Sequence, residues 1–85
     1  MARTIRSEGH EALRWALTAA RKAAGLTQAQ LAERLRCHQS FVARVETGQR
    51  RVDAVELVVL ARAIGLPAAE LLAAVEAATP ADHRI

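Results

Sequence analysis

The chain has one cysteine, no tyrosine, one phenylalanine, one tryptophan, two prolines and a single lysine among its twelve cations. A single cysteine excludes an internal disulfide, so no covalent cross-link helps hold the fold. With only 2% aromatic residues, and an apolar content of 52% that is largely alanine and leucine, the composition favours helix over strand. No stretch approaches the roughly 20 consecutive apolar residues of a membrane span, and the opening MARTIRSEGHE lacks the apolar run of a secretory signal. The expectation is a cytoplasmic chain with no membrane partner. Its 85 residues allow one small domain with a modest core but no deep cleft, so an enzyme is not expected.

Metal and nucleophile chemistry are equally thin. The three histidines, His10, His38 and His83, show no metal-ligand spacing, so neither a metal nor another cofactor is expected. Cys37 and His38 are adjacent, but a Cys–His catalytic pair needs further partners and a cleft, and Cys37 reads better as a passive turn residue.

What is present is an uneven charge distribution. Residues 1–51 carry ten Lys or Arg against four acids, a balance of +6, whereas residues 52–85 carry two against five, a balance of −3. A basic half of this kind suits an anionic polymer as partner. Arginine and alanine abundance can also reflect the coding bias of a genome, so charge is not decisive alone.

The basic half contains the stretch that organises the chain, Leu26 to Arg51, LTQAQLAERLRCHQSFVARVETGQRR. Thr27 can cap a helix with Gln30 reaching back in a capping box, and Leu31, Ala32 and Leu35 then form a narrow apolar face. Helical periodicity resumes at Gln39, with Val42 and Val45 on one side, and Gly48 supplies a stop after Thr47. Only Arg36, Cys37 and His38 separate the two helices, and so short a link makes them cross steeply, as in a helix-turn-helix. The second helix keeps an uncommitted polar face of Gln39, Ser40 and Arg44, side-chain types that hydrogen-bond to base edges in a DNA major groove.

On these residues the stretch resembles the phage-repressor and Cro-type helix-turn-helix family, often called the XRE family. The matching positions are Leu26, Thr27, Gln28, Leu31, Ala32, Gln39, Ser40, Val42, Arg44, Glu46, Gly48 and Arg50. The resemblance implies an all-α, five-helix, lambda-repressor-like DNA-binding domain whose second and third helices form the helix-turn-helix. It also implies that Gln28 holds a DNA phosphate, that Arg21 pairs with a carboxylate such as Glu46, and that Phe41 packs against the second helix or the turn. By residue type and place, Gln39, Ser40 and Arg44 are the expected base readers, and Arg50 and Arg51 the expected contacts to the DNA backbone. Two positions depart from the family pattern. Arg36 stands where the turn often has glycine, and His38 stands where serine or threonine usually caps the recognition helix. His38 either reaches a base itself or lies simply exposed.

The rest of the chain supports that frame. Residues 1–6 read as a loose basic arm. Ser7 can cap a first helix running to about Ala24, with Leu13, Leu17, Ala20 and Ala24 on its core face; Trp15 lies off that stripe and is expected to pack in the core or an interface. Asp53 and Glu56 mark a fourth helix over Ala54 to Ile64, with Ala54, Leu57, Leu60, Ala61 and Ile64 as its core face. Gly65 ends it, and Pro67 opens a fifth that continues through Leu71, Leu72 and Val75 to about Ala78. The domain is expected over residues 1–80, followed by an unstructured tail at 81–85.

The surplus apolar surface on the last two helices suggests a homodimer, with Val55, Val59, Leu71 and Val75 as candidate interface positions. Two recognition helices would then read a pseudo-palindromic operator with half-sites about 34–36 Å apart. The expected function is a sequence-specific, double-stranded-DNA-binding transcriptional regulator acting as a dimer. The alternative is an antitoxin-type protein that binds a toxin partner and autoregulates its operon, although the short tail leaves little chain for wrapping a partner.

Overall fold

The helix boundaries follow from the capping residues, as a computed structural model covering residues 7–85 shows; the basic arm at residues 1–6 lies outside the described residues. Five helices, α1 (Glu8–Ala23), α2 (Gln28–Leu35), α3 (Gln39–Glu46), α4 (Ala54–Ile64) and α5 (Ala68–Ala78), make an all-α fold with no strand among the described residues. Ser7 caps α1 by accepting from the His10 amide at 3.2 Å. Reciprocal capping boxes start α2 (Thr27 with Gln30) and α4 (Asp53 with Glu56), and Pro67 stands at the N-cap of α5. Ser7 and the two boxes satisfy amides that a helix start leaves without intrahelical partners, whereas Pro67 makes no side-chain cap bond.

Four of the five helices stop in the same way. A residue in the left-handed region follows the last turn, and the N–H beyond it donates to a carbonyl five residues back. The bonds run from Leu26 to Arg21 (3.1 Å), Cys37 to Ala32 (3.0 Å), Gln49 to Arg44 (2.9 Å) and Leu66 to Ala61 (3.0 Å). Three of the left-handed residues are glycines, Gly25, Gly48 and Gly65; the fourth is Arg36, at φ 58° and ψ 46°. The turn position at which the resemblance leads one to expect glycine is thus left-handed in this chain, although it holds an arginine.

The core draws on every helix: Leu13 and Leu17 of α1, Leu31 and Ala32 of α2, Val42 and Val45 of α3, Leu60, Ala61 and Ile64 of α4, and Leu71 of α5. Helices α1 and α5 pack closely because Gly9 faces Thr79 and Val75. A β-carbon at position 9 would collide with the Thr79 hydroxyl and press on Val75 Cγ1 at 3.3 Å. That approach sets α5 against the back of the bundle and leaves α2 and α3 on the opposite flank, where they touch α1 and α4.

Several sequence expectations need correction. Ala24 lies one residue past the end of α1 and is exposed, and Ala54 is exposed at the first turn of α4, so neither belongs to the core face. Trp15 is not packed in the core: it is 61% exposed, with the Arg14 guanidinium over its ring at 4.7 Å from the centroid. The last residues are not featureless, since the His83 amide donates to the Pro80 carbonyl at 3.0 Å to close a turn. No helix among the described residues is long and apolar enough to cross a membrane.

Candidate nucleic-acid interface

The geometry of α3 separates two duties by periodicity. Val42, Val45 and Glu46 turn inward and are buried, while Gln39, Ser40, Arg44 and Thr47 are exposed along one outer stripe. Residues spaced by three or four on a helix of 3.6 residues per turn lie on one side of it, so 40, 44 and 47 share a face and 39 borders it. The guanidinium of Arg44 has no hydrogen-bond or ion-pair partner among the described residues, and so projects free. His38 occupies the N-cap in extended conformation but makes no side-chain cap bond, and both His38 and Cys37 are exposed in the turn.

Behind this stripe sits a buried ion pair. Arg21 of α1 donates Nε to Glu46 Oε2 at 2.6 Å and Nη2 to Oε1 at 2.9 Å, and its Nη1 reaches the Leu26 carbonyl at 2.7 Å. Both residues are buried, and they make the pairing that the resemblance implied. Arg14 adds a 2.7 Å bond to the backbone carbonyl of Glu46, a contact that sequence reading did not anticipate. Burial alone would push the Glu46 carboxyl up. The hydrogen bonds from Arg21 and Gln28, with the positive charges of Arg21 and Lys22, outweigh it and hold the carboxyl below its usual range. Arg21 is held above its ordinary value by the same bond to Glu46, against its own desolvation.

Gln28 links that pair to the surface. Its Nε2 donates to Glu46 Oε1 at 3.0 Å, and its Oε1 accepts a long 3.4 Å bond from Gln39 Nε2. The expected phosphate contact and one expected base reader are therefore neighbours, and both are tied to the α1–α3 pair. Gln28 is also the first residue of α2, where free amides and the helix dipole favour an anion.

Arg50 and Arg51 differ in their freedom. Arg50 forms a two-pronged pair with Glu56 at 2.9 and 2.8 Å, donates to the Arg51 carbonyl at 2.7 Å and lies over the Phe41 ring at 4.6 Å from its centroid. Hydrogen bonding from Arg50, and then from the Asp53 backbone, holds the Glu56 carboxyl low. Arg50 thus fastens the loop after α3 to the start of α4, and Phe41 packs under it as well as beside the core. Arg51 is exposed, and its guanidinium has no partner among the described residues. The Arg50–Glu56 pair was missed from sequence; the only signal was that Glu56 already had a local role in the α4 capping box, which hid its second one.

The four candidate interface positions do not share a surface. Val55 and Val59 stand one turn apart on the outside of α4, 72% and 44% exposed. Leu71 is 2% exposed inside the core, so it is not at the surface, and Val75 is half-buried against α1. The outward leucine of α5 is its neighbour Leu72, at 56%.

A match to the family described as a helix-turn-helix domain spans residues 12–74, from within the first turns of α1 through most of α5. An XRE-family-like protein from Pseudomonas syringae pv. tomato superposes with a TM-score of 0.77 at 44% identity, over 85% of this chain and 88% of that one. The clp gene regulator ClgR from C. glutamicum superposes with a TM-score of 0.75 at 28% identity, over 85% and 92%. No curated protein matches the chain significantly. The chain belongs to the XRE-type helix-turn-helix family of DNA-binding transcriptional regulators.

Proposed function

We propose that the protein regulates transcription by reading a specific duplex sequence in the major groove through the outer stripe of α3. The observation that carries this reading is Arg44: exposed, without a partner, and flanked by Gln39 and Ser40 on a helix whose other face is wholly engaged in the core. A free cation on such a face has no structural duty, and a bidentate guanidinium matches the O6 and N7 acceptors of guanine. Gln39 suits adenine, and Ser40 and His38 supply shorter-range contacts at the start of the helix. Gln28, with the α2 amides, and Arg51 hold phosphates on either side, with Arg50 in a supporting place beside them.

In this reading the protein acts as a homodimer on a pseudo-palindromic operator, with half-sites about 34–36 Å apart. The exposed Val55 and Val59 of α4 support self-association more directly than Val75 does.

The test is selection of duplexes from a random library, followed by titration of the selected site at several salt concentrations. Arg44→Ala is expected to lose about 1–3 kcal/mol of discrimination at one base position. Arg51→Ala is expected to weaken all sequences alike and lower the salt slope by about 1. Unaltered sequence choice in Arg44→Ala would remove α3 as the reading element. For the dimer, sedimentation of Val55→Asp should report a monomer where the parent is dimeric; a parent that sediments as a monomer both free and on the selected site would rule the dimer out.

A further inference from the structure

On the side of the bundle where α1 meets α5, a cleft of about 260 Å³ opens between the first turn of α1, the loop before α4 and the end of α5. Its polar lining comes from separate parts of the chain: Ser7 and His10, Arg51, Thr79, and His83 from the closing turn. Among the described residues no carboxylate lines it, although Glu8, Glu11 and Asp82 are close by in sequence. Arg51 has no partner for its guanidinium among the described residues, and His10 Nδ1 is buried without a hydrogen-bond partner. His10 and His83 thus bring two imidazoles to the cleft beside the unpaired Arg51 guanidinium, and each ring can offer an N–H to a ligand there.

We propose that this cleft is a binding site for a small divalent oxyanion, held by the Arg51 guanidinium and the imidazoles of His10 and His83. All three groups can donate hydrogen bonds, and a guanidinium grips carboxylate or phosphate oxygens in a planar fork. Size narrows the class. The cleft falls slightly below the range of about 300–1,000 Å³ typical of drug-sized ligands, so it suits inorganic phosphate or a short dicarboxylate rather than a nucleotide. The one permanent charge in the lining is the Arg51 guanidinium, and with no acid among the described lining residues that charge disfavours a metal ion or an amine. The site does not rest on the role proposed for Arg51 toward DNA, because it can be measured with no nucleic acid present.

The experiment is a titration of the full ¹⁵N-labelled chain with sodium phosphate, and separately with sodium succinate, followed by amide chemical shifts. A constant ionic strength of about 0.15 M keeps general screening the same throughout. The expected result is a saturable shift confined to His10, Arg51, Thr79 and their neighbours, with half-saturation near or below about 1 mM for at least one of the two anions. The stronger anion identifies the source chemistry as phosphate or carboxylate. Arg51→Gln should weaken that binding by about tenfold or more, as expected for loss of a charge-assisted pair. Arg62→Gln removes the same charge from an exposed, unpartnered arginine outside the cleft and should leave the affinity unchanged. Non-saturating shifts for both anions, an undiminished response in Arg51→Gln, or an equal loss in Arg62→Gln would each overturn the site.

Discussion

Replacing Arg36 by glycine should make the protein more stable. Arg36 holds φ 58° and ψ 46° at the end of α2, a place whose hydrogen-bonding pattern recurs at Gly25, Gly48 and Gly65. For a residue with a β-carbon, the left-handed conformation costs about 1–2 kcal/mol. Glycine removes that cost but adds freedom to the unfolded chain, which offsets about 0.4–1 kcal/mol of it. Nothing else is lost, because the Arg36 side chain is exposed and its guanidinium has no partner among the described residues. The net gain is therefore about 0.8 kcal/mol, within a span of roughly 0–1.6, or about 3–6 °C in Tm for a domain of this size. Urea unfolding followed by far-UV circular dichroism would measure it, with an unchanged m-value showing that the unfolded state is comparable. Arg36→Ala is the control, since it removes the side chain but keeps the β-carbon and should gain nothing. If Arg36→Gly is no more stable than Arg36→Ala, backbone strain at the turn is not the operative cost.

Three other substitutions bear on the architecture. His38→Ser should supply the side-chain cap that α3 lacks and add about 1 kcal/mol, detectable as a raised urea midpoint; an unchanged or lowered midpoint would argue against an open cap. Gly9→Ala places a methyl group against Thr79 and Val75 and should destabilise by about 1–3 kcal/mol, with a neutral Tm counting against a tight α1–α5 approach. Glu46→Gln leaves the buried Arg21 without its counter-charge and should cost about 3–5 kcal/mol, a large share of a typical domain stability of about 5–15 kcal/mol. Because the folded Glu46 carboxyl is held below its ordinary value, its contribution is fully present above the unfolded value of about 4.3 and disappears as pH falls through the lower folded value. The parent should thus lose stability below about pH 4.5, and the Gln variant should lose less over the same window. Parallel acid profiles for the two would mean that Glu46 does not carry the effect.

The features legible in the sequence were those written in neighbouring residues. Thr27 with Gln30 and Asp53 with Glu56 announce helix starts because a cap reaches only three residues along the chain, and both boxes form as read. The outer stripe of α3 was legible for the same reason, since Val42 and Val45 fix by periodicity which way Gln39, Ser40 and Arg44 face. The ambiguity lay where periodicity has nothing to distinguish. In AAELLAAVEAA the adjacent Leu71 and Leu72 stand among alanines, so the sequence does not show which one enters the core. The close approach of α5 to Gly9 accompanies the inward turn of Leu71 and the outward turn of Leu72. Likewise the Arg50–Phe41–Glu56 contacts join three segments through a loop whose path no local pattern specifies. Trp15 lies off the Leu13–Leu17 stripe, and within this chain that place leaves it at the surface with the Arg14 guanidinium over its ring.

Glu46 accepts from α1 through Arg21 and from α2 through Gln28, while Arg14 grips its backbone carbonyl. These bonds act as a brake on rotation of α3 about its own axis: a roll by one residue, 100°, would carry the carboxylate out of reach of both donors and turn the outer stripe aside. For the reading of DNA by α3 proposed above, the orientational freedom that the helix would otherwise surrender on meeting its target is surrendered at folding instead, which favours fast, well-aligned engagement. The same arrangement frees residues 39, 40 and 44 from any share in holding the helix in place beyond the one long bond from Gln39. In the proposed reading, their identities can be exchanged to suit a different target while the scaffold that aims them stays as it is.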